Sequence, residues 1–104
     1  MSGGYDGRDA ARALIAALVA AALTAQIILT VADVEERPWA SATFSGGRHV
    51  LSVELDGDGA AISKWLAGLP EAQWAMRYHI VADIAVAARS VGGATIEALT
   101  VAND

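Results

Sequence analysis

The spacing of apolar and polar residues changes period several times along the chain, and each change marks an element. Leu14, Ile15, Leu18, Val19, Ala22 and Leu23 recur at helical spacing and form one stripe of a helix over residues 8–24. Asp6 or Asp9 stands near its N-terminus, where a carboxylate faces the positive end of the helix dipole. The period then shortens to two. Ile27, Leu29 and Val31 alternate, which predicts a buried strand over residues 26–34. Asp33, Glu35 and Glu36 end that strand in a charged patch. Arg37-Pro38 turns the chain, because proline removes an amide donor and holds the preceding residue extended.

The segment Ala40–Leu55 reads as a hairpin about Gly46-Gly47. Two-residue hairpin loops need positive φ, which glycine adopts freely. Such a loop places Phe44 opposite His49, Ala42 opposite Leu51 and Ala40 opposite Val53. The core face then carries Ala40, Ala42, Phe44, His49, Leu51, Val53 and Leu55. The outer face carries Ser41, Thr43, Ser45, Arg48, Val50, Ser52 and Glu54, and a slip of one residue would invert either strand. The following Asp56-Gly57-Asp58-Gly59 opens like a calcium loop, but its twelfth position is Ala67 where that loop needs a bidentate glutamate. Asp58 is better placed as the cap of a helix over residues 59–67. Ile62, Trp65, Leu66 and Leu69 share one face of that helix, and Gly68 with Pro70 stops it.

Residues 74–90 fit either period. The β-branched Ile80, Val81, Ile84 and Val86 favour a strand, the alanines a helix. Gly92-Gly93 before the alternating ATIEALTVA segment decides for a strand and a second hairpin, with Ile84 opposite Val101 and Val86 opposite Leu99. That choice has a chemical consequence. On a helix His79 and Asp83 would be neighbours at ~6 Å and could share a metal or a proton. On a strand they lie ~13 Å apart and cannot act on one atom. The sum of these elements is a single α+β domain over residues 1–104, an antiparallel sheet of about five strands with two helices on one face, in the order α-β-β-β-α-β-β.

Composition narrows the function classes. The chain is 55% hydrophobic, with alanine near a quarter of all residues, which suggests close packing or a sizeable self-association surface. A homodimer is the usual form of such association. The net charge is −5, and the seven basic residues are scattered singly, so the basic footprint that nucleic acid demands is missing. With no cysteine there is no disulfide, thiolate metal site or cysteine nucleophile. The uncharged run Ala13–Ala32 has the length of a membrane span. Its alanines, its internal Thr24, Gln26 and Thr30, its flanking aspartates and its change of period argue instead for a soluble helix and strand, with no membrane partner and a cytoplasmic location.

No catalytic constellation emerges. The chain lacks a GxSxG elbow and a phosphate-binding glycine fingerprint, the turn carboxylates are too few for a metal, and no cofactor is expected. His49 is read as a packing residue first and a general base second. The expected function is a small non-enzymatic association module, self-associating through the sheet's free face or an edge such as the C-terminal strand. The alternative is a small-molecule-binding domain or small enzyme with a pocket between sheet and helices near His49, lined by Trp39, Phe44, His49, Trp74 and Tyr78.

Overall fold

The computed structural model describes residues 7–74 and 76–102. Helix α1 spans Gly7–Thr24, with Asp9 in its first turn; Asp6 lies outside the described residues. The helix ends where Gln26 turns to a φ of 63° and the Ile27 amide donates to the Ala22 carbonyl at 2.8 Å. That is a left-handed helix stop, here on a non-glycine residue. Strand β1 follows as Ile28–Ala40, β2 as Ser45–Asp56, helix α2 as Gly59–Ala67 and a 3₁₀ turn as Leu69–Glu71, then β3 as His79–Ser90 and β4 as Gly93–Ala102. The strands form one antiparallel sheet in the order β1-β2-β4-β3. Each half of the chain is thus a helix followed by a hairpin, and the halves join through the central pair β2·β4.

The α+β class and the two helices stand as the sequence predicts, but the strands number four rather than five. Strand β1 runs unbroken through Asp33, Glu35, Glu36, Arg37 and Pro38, merging the two short strands expected there. It is an edge strand, where charged side chains meet solvent and a proline can turn its missing donor away from the ladder. The first turn falls at residues 41–44, closed by the pair Ala40↔Ser45. Ser41 Oγ accepts from the Phe44 amide at 3.1 Å, and the Ser41 amide donates to the Phe44 carbonyl at 2.7 Å. The expected pairs Phe44–His49, Ala42–Leu51 and Ala40–Val53 are therefore replaced by Glu36↔His49, Val34↔Leu51 and Val31↔Val53. Ala40, Ala42 and Phe44 are exposed instead of facing the core.

The two glycines serve a different purpose from a turn. Gly46 lies within β2, where a Cβ would collide with the Thr100 carbonyl of β4. Close approach of backbones calls for glycine as strongly as positive φ does. The second hairpin departs in the same way. Its turn is Val91-Gly92, with Gly92 at a φ of 74°, while Gly93 begins β4 against the Val53 carbonyl. Residues 79–90 do form a strand, but register shifts between Val81 and Asp83 and between Val86 and Ala88 reset its parity. Ile84 therefore pairs with Ala98 and Val86 with Ile96, and His79 is buried while Asp83 is exposed on the opposite face.

Both helices cover one face of the sheet. Leu14, Leu18 and Ala22 of α1 are fully buried with Leu51, Val53 and Leu55 of β2. Leu23, expected in that stripe, is 62% exposed. Asp58 caps α2 as predicted, its Oδ2 accepting from the Ala61 amide at 3.0 Å. Ile62, Leu66 and Leu69 then pack into the same core as Ile84 and Ile96, with Trp65 half-buried at its margin. Among the described residues, no helix is long and apolar enough to cross a membrane.

Candidate functional site

The helix-covered face carries a row of polar side chains at one end of the sheet. The register sets Glu36 of β1 opposite His49 of β2, Gly47 opposite Thr100 of β4, and His79 of β3 opposite Ala102. His49 and Thr100 have no exposed surface and His79 only 7%. His49 Nε2 lies 2.8 Å from Thr100 Oγ1, whose hydroxyl can donate to the Gly47 carbonyl at 3.4 Å. One assignment satisfies both contacts: the imidazole N–H donates to Oγ1 and the hydroxyl donates to Gly47. Burial pushes the His49 pKa below its ordinary 6.5; the Glu36 carboxylate opposes that shift and His79 reinforces it. Glu36 Oε2 is itself buried with no hydrogen-bond partner among the described residues.

A carboxylate, an imidazole and a hydroxyl in sequence are the parts of a nucleophilic triad. Here the hydroxyl and the imidazole are sealed from solvent, and a substrate has no approach to them. The arrangement acts as a buried polar network whose partners fix the end of the sheet. Among the described residues no group of three histidine, aspartate or glutamate side chains is placed to hold a metal ion.

Two other surfaces are open. Between α1 and the α2–3₁₀ segment runs an apolar groove of about 670 Å³, walled by Ala17, Ala21 and Ala25 on one side and Trp65, Leu69 and Trp74 on the other. Among the described residues, Lys64 is the sole charged one lining it. A volume of this order suits a small ligand. The second surface is the face of the sheet away from the helices. Across it the register aligns Trp39, Gly46, Val101 and Ile80 in one row, then Arg37, Arg48, Leu99 and Asp83, then Glu35, Val50, Glu97 and Ala85. Val50, Leu99 and Val101 are half-buried and Ile80 is 51% exposed. Trp39 is half-buried, and its Nε1 is enclosed without a partner among the described residues.

The five residues expected to line one pocket are spread over the molecule. Trp39 lies on the outer sheet face, Phe44 in the first turn at 59% exposure, and His49 in the sealed network. Trp74 walls the helical groove. Tyr78 is 65% exposed, with the Arg77 guanidinium 5.8 Å above its ring, at a shallow hollow shared with His79 and the start of α1. Thr100 and Lys64 were not among the residues singled out from sequence. Thr100 could have been found as the one polar member of the inward row Ala94, Ile96, Ala98, Thr100. The alanine wall was visible as residues four apart, Ala17, Ala21 and Ala25, but nothing marked the groove opposite it. No protein-family model matches the chain, and no curated protein or solved structure matches it either.

Proposed function

We propose that this protein is a non-enzymatic association module that forms a homodimer through the outer face of its sheet, at home in the cytoplasm. The observation that carries the reading is the uncovered second face of the sheet. Domains of this class bury each apolar face against another layer, and here the face opposite the helices has none. Trp39, Ile80, Val101, Leu99 and Val50 make a continuous apolar strip on it, because Gly46 leaves no side chain between Trp39 and Val101. Arg37 and Arg48 flank Leu99 on one side and Asp83 flanks it on the other, while Glu35 and Glu97 flank Val50 in the next row. A two-fold axis through such a face can bring the two arginines of one copy toward the carboxylates of the other, the self-complementarity that an isologous interface needs.

The size is adequate. Four strands ~4.8 Å apart and about eleven residues long present roughly 700 Å² per copy, or roughly 1,400 Å² in a pair, within the range of specific interfaces. The cysteine-free sequence provides a clean test. Single cysteines replacing Val50, Thr95 or Leu99 on the outer face, and Ser63 on α2, are exposed to a mild oxidant. At least one outer-face variant should trap a disulfide-linked dimer at micromolar concentration while S63C stays monomeric. Capture of S63C as readily as the others, or of none of them, contradicts the proposal.

A further inference from the structure

We propose that the dimer is built about a two-fold axis running parallel to the strands between β2 and β4, with Arg37 of each copy paired to Asp83 of the other. The inference rests on dimerisation through the outer sheet face and adds the residues that set its register. Arg37 lies on edge strand β1 and Asp83 on edge strand β3, and both fall in the row Arg37, Arg48, Leu99, Asp83. Both side chains are exposed. Three strand spacings of ~4.8 Å hold them ~14 Å apart, too far to pair within one chain. An axis along the middle of the sheet exchanges its two edges and keeps each row at its own height. Arg37 of either copy then lies over Asp83 of the other, so a second copy of this chain supplies both missing charges.

The apolar row decides between axes. With the axis along the strands, Trp39 of each copy lies on Ile80 of the other, and Val101 enters the notch where Gly46 has no side chain. Ile80 is 51% exposed and Trp39 half-buried in the single chain, so both have apolar surface left to cover. An axis across the strands, set between the Arg37 row and the Glu35 row, would instead pair Arg37 with Glu35. The same rotation would lay Trp39 on Asp33 and Val101 on Thr95, which desolvates polar groups without giving them partners. Length and angle suit the first arrangement. Sheets pack ~10 Å apart, a gap that a long arginine and a short aspartate span together, and the guanidinium matches the carboxylate. Aligned sheets cross at about 30°, which displaces edge residues by about 4 Å along the strands, within the reach of an arginine. At the rim such a pair selects the partner more than it holds it.

The test is a charge exchange on the full chain, read as the dimer dissociation constant by analytical ultracentrifugation. R37D and D83R each set like charges against one another at both contacts and should weaken the dimer at least about tenfold. Mixed in equal amounts they should recover it, because one variant paired with the other restores both opposite-charge contacts. The double variant R37D/D83R should likewise dimerise with itself, which separates a lost contact from a lost fold. Single variants as tight as the wild type, or a mixture no tighter than its components, overturn the pairing and leave the dimer face standing. Recovery of R37D by E35R rather than by D83R assigns the axis across the strands and overturns the pairing too. A wild-type chain that stays a monomer removes the dimer reading itself, and the pairing with it.

Discussion

Replacing Thr100 by valine tests whether the sealed polar network holds the end of the sheet. The two side chains have nearly the same shape, so packing is retained and only the hydroxyl is lost. His49 is fully buried, and its Nε2 then loses the Oγ1 partner at 2.8 Å. Leaving a buried polar group unsatisfied costs about 1–3 kcal/mol. The Gly47 carbonyl loses only a long 3.4 Å contact, which adds little. Valine recovers part of the loss by burying a methyl group in place of a hydroxyl, so a net loss of about 1–2 kcal/mol is expected. In a domain of this length that is a fall in midpoint of about 5–15 °C. The assay is chemical and thermal denaturation with an unchanged denaturant slope, since the surface exposed on unfolding should not alter. The double variant H49L/T100V removes both polar partners together and should lose less than the sum of the single changes, a coupling of about 0.5–2 kcal/mol. A neutral T100V, or strict additivity in the cycle, would refute the assignment of the network as a structural clamp.

Other expectations follow from the same geometry. His49 is held neutral, its folded pKa below 6.5 chiefly because of burial. The unfolded chain therefore takes up the proton first as pH falls, and stability present above about pH 6.5 is lost on acidification toward the lowered folded pKa. Melting scans from about pH 7.5 to 5 should show this decline, and H49N should flatten it; an unchanged slope would show that burial, against the opposing Glu36 carboxylate, does not keep the ring neutral. Gly46→Ala should destabilise by several times the usual glycine-to-alanine effect, because its Cβ meets the Thr100 carbonyl; far-ultraviolet circular dichroism and melting would reveal a stable, native-like variant if this placement were wrong.

The helices were legible because their signals are local. Asp58 as a cap, Gly68 as a stop and the Ile62–Leu66–Leu69 face all lie within a few turns of one another, and α2 occupies the residues expected of it. The strands depended on partners distant in sequence. Gly46-Gly47 carries the composition of a hairpin loop, yet the demand on Gly46 comes from β4, more than fifty residues away, whose Thr100 carbonyl leaves no room for a Cβ. No local pattern distinguishes these two uses of glycine. The parity of β3 was similarly hidden, because a bulge at Ala82 answers to the twist of an edge strand and leaves no mark on the alternation of Ile80, Ala82 and Ile84. The site residues suffered the most from this. Phe44 and His49 appeared to be partners across a turn, and the true neighbour of His49 is Glu36, brought alongside by the long first strand. The outer face of β2 was read correctly as Arg48, Val50, Ser52 and Glu54, since it needed only the period of two.

The most direct test of dimerisation through the outer sheet face is the solution mass by size-exclusion chromatography with light scattering. The wild-type chain should give twice its 10.7 kDa at micromolar concentration. L99E, which places a carboxylate in the centre of the apolar strip while leaving the core untouched, should give the single-chain mass with an unchanged circular dichroism spectrum. A wild-type protein that stays at 10.7 kDa across the concentration range, or an L99E variant that stays dimeric, would contradict the account.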